Sequence, residues 1–196
     1  SDKVKFLSEY LKGNGWYTRG DTMRLSIVPE RGFDKLTSQD EREENCISAH
    51  KRIMKSLSSN KKSPFILYLH YSEIHNSMVD DVFNKYDDFS EEYFSNLEEN
   101  KRNYDSYIKD AGLYLKEILD EIKRLNHFDD SIILIMADHG MGYGEKVGER
   151  AYGVFTYDYS IRSFATFINR NMFKDNLQVT KLTRTVDILP TILNLV

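Results

Sequence analysis

The chain has 196 residues, a formal net charge of −4, 40% hydrophobic and 30% charged residues, and one cysteine, Cys46. That length suits a single domain, residues 1–196, with a sizeable core, while charges interrupt every apolar stretch short of the ~20 residues of a membrane span. The lone cysteine excludes an internal disulfide framework and a cysteine-built zinc site, and no basic block longer than Lys61-Lys62 points to nucleic acid.

Lys5-Phe6-Leu7-Ser8-Glu9-Tyr10-Leu11 has helical spacing, with Gly13-Asn14-Gly15 to end it. Trp16-Tyr17-Thr18 reads as a short strand, and a helix is expected from Ser38 to Leu57 with Ile47, Met54 and Leu57 inward. Pro64 to Tyr71 is a continuous apolar run that suits a strand buried on both faces, and Ser131 to Ala137 is a second. Between them Tyr104, Ile108, Ala111, Leu115, Ile118, Ile122 and Leu125 mark a long helix. A third strand is expected at Ser163 to Ile168, and Asp187 caps a final helix with Pro190 in its first turn. Alternating strands and helices predict an α/β domain with a mostly parallel, mixed sheet flanked by helices on both faces.

Ligands of such sheets sit beyond the carboxyl ends of the strands. One apolar run ends in His70, with His75 five residues on; the other ends in Asp138-His139-Gly140. An aspartate beside a neutral imidazole offers one oxygen and one nitrogen to a divalent cation of the zinc, manganese or calcium type, though two ligands do not complete a site. Plainer roles exist for each: Asp138 as a cap, His75 as a loop residue, His70 as a hydrogen-bonding strand end. His50 and His127 are expected at the surface, as is the acidic stretch Glu91 to Glu99.

Taken in order, the motifs resemble the sulfatase family of the alkaline-phosphatase-like superfamily. Glu30-Arg31-Gly32-Phe33-Asp34-Lys35 resembles the family's Arg-Gly-Phe-Asp stretch, and Phe65 to His75 its strand and histidine-bearing loop. Tyr104-Asp105 followed by Phe128 to Gly140 is similar to its helix and metal strand. Thr185 to Leu193 is similar to its Val-Asp-Ile-x-Pro-Thr helix start, and Leu7 to Trp16 to the helix and turn after the nucleophile region. The resemblance implies a metal-dependent hydrolase of small sulfate or phosphate esters, with Asp138 and His139 as metal ligands. His75 would contact the transferred group or protonate the leaving oxygen. Lys146 would supply a positive charge.

The chain also departs from that pattern. The family's paired aspartates and its Cys/Ser-x-Pro-x-Arg nucleophile motif do not precede Leu7, so the chain is expected to lack the family's first strand and nucleophile loop. Ile27-Val28-Pro29-Glu30-Arg31 has the proline and arginine spacing with isoleucine at the nucleophile position, but it lies beyond the helix that should follow the motif and the match is a coincidence; Cys46 lacks the motif around it, and Ala151-Tyr152-Gly153 replaces a common Gly-His-Gly or Gly-Lys-Gly. Two other readings therefore stand beside the hydrolase: an inactive anion- or partner-binding domain, and a phosphoglycerol- or phosphoethanolamine-transferase-like enzyme. Localisation and oligomeric state stay open.

Overall fold

The computed structural model describes residues 4–39, 44–59 and 64–196. Ser1-Asp2-Lys3, residues 40–43 of the expected second helix, and Lys61-Lys62 lie outside the described residues. The chain divides into two compact units, one of residues 1–71 with 176–196 and the other of residues 72–175.

The first unit opens with helix α1 (Leu7–Gly13), begun by a bond from the Phe6 amide to Glu9 at 2.9 Å and closed by Asn14. Strands β1 (Tyr17–Thr22), β2 (Lys35–Ser38) and β3 (Phe65–Leu69) form a wholly parallel sheet in the order β2-β1-β3. Helix α2 (Cys46–Ser58) turns Cys46, Ala49, His50, Ile53, Met54 and Leu57 inward. A short 3₁₀ turn (Thr185–Asp187) leads into α7 (Ile188–Leu195) with Asp187 at its N-cap position. The Asp187 carboxylate reaches back to the Arg184 amide at 2.8 Å instead of forward into the helix.

Several expectations are corrected here. The short strand at Trp16 runs on through Arg19, Gly20 and Asp21 to Thr22, and this polar segment is the central, buried one. The apolar β3 has a single neighbour among the described residues and is only half-buried, so centrality decides burial and composition does not. Ser38 ends a strand that alternation had not revealed, and α2 begins at Cys46. Met54 and Leu57 do point inward, whereas Ile47 is half-buried. His50, expected at the surface, is 2% exposed.

Burying charge in β1 requires partners. Arg19 donates to the Lys35 carbonyl at 3.2 Å and to Thr37 Oγ1 at 2.7 Å. Asp21 accepts from the Thr37 hydroxyl and lies 3.3 Å from His50 Nε2, while His50 Nδ1 stands 3.4 Å from Cys46 Sγ. Burial pushes the Asp21 carboxyl up, but its bonds to His50 and Thr37 outweigh that and hold it below the ordinary value. His70 follows β3, its amide donating to the Asp21 carbonyl at 3.1 Å and its Nδ1 lying 3.3 Å from Thr22 Oγ1. Gly32, at φ +81°, lets the Arg31-Gly32-Phe33-Asp34 turn lie on α1, where a Cβ would meet the Glu9 amide nitrogen at 2.3 Å.

The second unit holds α3 (Glu73–Met78), which runs into a π-helical turn (Val79–Phe83), then α4 (Glu91–Ser95) and the 28-residue α5 (Leu97–Arg124). Its strands β4 (Ile133–Met136) and β5 (Ala165–Ile168) pair antiparallel, with Ile133 opposite Ile168 and Met136 opposite Ala165, and α6 (Asp158–Ile161) lies between them in sequence. The second apolar run is therefore half-buried and antiparallel, not buried in a parallel sheet. On α5 the buried positions are Tyr114, Ile118 and Glu121; Ile108 is 45% exposed, so the inward stripe is rotated from the expected one toward the tyrosines. Acidic residues Glu91, Glu92, Glu98 and Glu99 are exposed as expected. Met78, Val82, Tyr93 and Ala151 form the core, with Phe83, Tyr86, Tyr107, Met141 and Tyr152 against it.

Candidate functional site

Beyond the end of β4 the backbone must pass close to α6. The Gly140 amide donates to the Ser160 carbonyl at 2.9 Å, and a Cβ on Gly140 would lie 2.0 Å from the Tyr159 carbonyl oxygen and 2.5 Å from that of Arg162. The glycine after His139 is thus required by the protein's own backbone. This approach holds Asp138 and His139 at the strand end, where the Asp138 side chain is 83% exposed and that of His139 42%.

Their contacts are made close by. Asp138 Oδ1 accepts from the His139 amide at 2.9 Å, which leaves Oδ2 3.7 Å from His139 Nε2. Nδ1 of His139 lies 2.7 Å from the Gly140 carbonyl oxygen, an acceptor only, so Nδ1 is the donor there and Nε2 is the ring nitrogen left for a ligand. With metal–ligand bonds of about 2.1–2.4 Å, neighbouring ligands stand roughly 3–4 Å apart. The carboxylate oxygen and the imidazole nitrogen therefore fit as two ligands of one divalent cation. Among the described residues no group of three or more His, Cys, Asp or Glu side chains is arranged to hold a metal.

The third partner is one that residue type and spacing left aside. Tyr152 places its ring 4.6 Å from that of His139 and its hydroxyl oxygen 2.7 Å from Nδ1 of His75 on α3. Burial, and then the negative charge of Asp138, raise this phenol above its ordinary pKa, so it is neutral at pH 7. His75 and His139 are thereby brought to one aromatic ring, whose phenol also feels the charge of Asp138. Lys146 is exposed on a turn whose backbone bridges to Glu149, and among the described residues no hydrogen bond or ion pair joins its ammonium to the other three.

The loop that presents Tyr152 is tied down on both sides. Glu149, 1% exposed, accepts from the amides of Val154 and Phe155 at 3.1 and 2.9 Å and from the hydroxyls of Tyr159 and Ser160 at 3.1 and 3.2 Å. Arg150 donates to Asp88 at 2.8 Å and to the Phe83 and Tyr86 carbonyls, with its guanidinium over the Phe83 ring. Tyr93 donates to the Arg150 carbonyl at 2.9 Å, and Ala151 is wholly buried. Phe83 meets Tyr152 edge-on at 5.5 Å, completing its socket. The sequence does carry a signal for this, a tyrosine beside the small Ala151 after Glu149-Arg150, but that signal acquires meaning only once the loop is folded.

Comparison with known proteins agrees with this architecture. The chain matches the sulfatase family model over residues 5–196. No curated protein matches it. Among solved structures it is similar to yidJ from Bacteroides fragilis, a protein assigned as a sulfatase, with TM-score 0.60, 18% identity, and coverage of 86% of this chain and 50% of that one. It is also similar to Ps i-CgsB, with TM-score 0.54, 14% identity, and coverage of 86% and 48%. The chain spans about half the length of these structures. At such identities the structures speak for the fold, an α/β architecture with a mostly parallel sheet; the family follows from the match along nearly the whole chain. The chain belongs to the sulfatase family.

Proposed function

We propose that this chain is part of a metal-dependent hydrolase of small sulfate or phosphate esters. The observation that carries the reading is the meeting of His139 and His75 at Tyr152, with Asp138 beside His139 at the end of β4. Asp138 Oδ2 and His139 Nε2 would hold the divalent cation, which when bound acts as a Lewis acid toward an ester oxygen. Asp138 orients itself through the His139 amide, and the Gly140 carbonyl fixes the imidazole that must offer a lone pair. His75 presents its second ring nitrogen to the transferred group or to the leaving oxygen. Lys146, the cation closest in sequence after the pair, would add positive charge toward the anion.

The test is turnover of aryl sulfate and aryl phosphate by the full-length protein in the presence of calcium, manganese or zinc. Metal-dependent release of the phenol is the expected result. Saturable binding of inorganic sulfate or phosphate without turnover would instead establish an anion-binding domain. That second reading is kept because no Cys/Ser-x-Pro-x-Arg stretch occurs in the sequence. Transfer of the group to an alcohol in preference to water would mark a transferase.

A further inference from the structure

The direction of the bond between Tyr152 and His75 can be worked out from the donors and acceptors present. A neutral phenol has one proton to give, and a neutral imidazole has one donor and one acceptor nitrogen. Were His75 Nδ1–H the donor, the Tyr152 hydroxyl proton would need another acceptor, and among the described residues this hydroxyl makes no hydrogen bond except the 2.7 Å one to Nδ1. With the phenol donating, one bond satisfies both groups without recourse to solvent, and the ring proton of His75 is left on Nε2. The tyrosine itself is held in place. Its ring is wedged between Phe83 at 5.5 Å and His139 at 4.6 Å, and its neighbours Glu149 and Ala151 are 1% and 0% exposed.

We propose that Tyr152 is a positioning residue that fixes His75 as the neutral Nε2–H tautomer and aims it as a hydrogen-bond donor at an oxygen of the bound ester anion. The identity of that oxygen rests on the hydrolase reading; the tautomer does not. The proposal separates the two roles open to His75. A neutral Nε2–H imidazole stabilises negative charge on an oxygen by hydrogen bonding, whereas giving up that proton would require the Tyr152 proton to follow onto Nδ1 and leave a tyrosinate. In this arrangement His75 is assigned to contact the transferred group and not to protonate the leaving oxygen. Tyr152 also reaches the candidate metal pair through the His139 ring, so one side chain sets the spacing between donor and cation.

The experiment is nitrogen-15 NMR of histidine-labelled full-length protein at about pH 8, where an ordinary imidazole is neutral. His75 is expected to show a protonated Nε2 and an unprotonated, hydrogen-bonded Nδ1, and Tyr152→Phe is expected to move the Nδ1 resonance to the position of an unbonded nitrogen. A protonated Nδ1 in the wild type, or an Nδ1 resonance unmoved by Tyr152→Phe, overturns the proposal. Should Tyr152→Phe fail to fold, the wild-type spectrum alone decides. With esters that turn over, Tyr152→Phe is expected to lower kcat about tenfold to the same extent for phenol and alkyl leaving groups. A loss that grows with the pKa of the leaving alcohol would make His75 the proton donor and refute the assigned role. Absence of turnover would count against the hydrolase reading while the NMR result still tests the tyrosine.

Discussion

Replacing Glu149 by leucine tests whether the loop carrying Tyr152 is held by this carboxylate. Its four bonds divide evenly: one oxygen accepts the Val154 and Phe155 amides, the other the Tyr159 and Ser160 hydroxyls. Leucine fills the volume and removes every acceptor. The hydroxyls can rotate to other partners, but the two amides are fixed by the backbone, and each donor left unpaired costs about 1–3 kcal/mol. Breaking a buried charged network costs about 3–5 kcal/mol, so Glu149→Leu is expected in that range. Glu149→Gln keeps one oxygen for both amides and turns an NH₂ toward two hydroxyls that can accept, so about 1 kcal/mol is expected. Urea unfolding measures both, and hydrogen exchange at Val154 and Phe155 localises the effect. If leucine costs less than glutamine, or if the two amides stay protected in Glu149→Leu, the clamp is not what holds the loop.

Gly140→Ala places a methyl group 2.0 Å from the Tyr159 carbonyl oxygen; a loss of about 2–4 kcal/mol in urea unfolding is expected, and an unchanged midpoint would refute the close approach. Asp138→Ala is expected to remove the metal from the full-length protein, and retention of stoichiometric metal by elemental analysis would contradict the ligand assignment. Asp34 is held below the ordinary carboxylate range, first by Lys12 at 2.7 Å and then by the Thr18 amide at 2.9 Å. A depressed folded-state pKa gives stability that is fully present above the unfolded value near 3.9 and is lost as pH falls through the folded one. Asp34→Asn should therefore flatten the stability profile below about pH 4, and an unchanged acid limb would rule the linkage out.

How much of this was legible in the sequence depended on whether a residue's role was local. The local geometry of Asp138-His139-Gly140 is made within three residues, which is why this stretch could be singled out as a candidate: the His139 amide orients the aspartate and the Gly140 carbonyl orients the imidazole. The helix α1 and its stop, the long α5 and the exposed acidic stretch are likewise matters of short-range spacing. Tyr152 was legible only as the residue standing where the resemblance expects a histidine or a lysine; its role was not, because its partner His75 lies 77 positions away. In the folded chain its ring closes the Met78–Val82 core while its hydroxyl faces the site.

The sheet of the first unit shows why composition misassigned the centre. Phe65–Leu69 satisfies every sequence rule for a buried strand, and Tyr17–Thr22 breaks them by carrying arginine and aspartate. Those charges can be buried because they meet partners from two other elements. Thr37 on β2 reaches both Arg19 and Asp21, and His50 on α2 reaches Asp21 from another side. The exposure of His50 could not be read from its helix for the same reason, because a histidine on a helix faces inward only if an acceptor waits there. The acceptor is a carboxylate 29 residues earlier in the chain, held below its ordinary pKa by that very contact against the cost of its own burial. Removing His50 would strip Asp21 of a hydrogen-bond partner while leaving it buried, the case in which a lost contact is expensive because the group left behind is desolvated and unpaired on that side. Burial in this sheet therefore follows the network as a whole and no single residue's hydrophobicity.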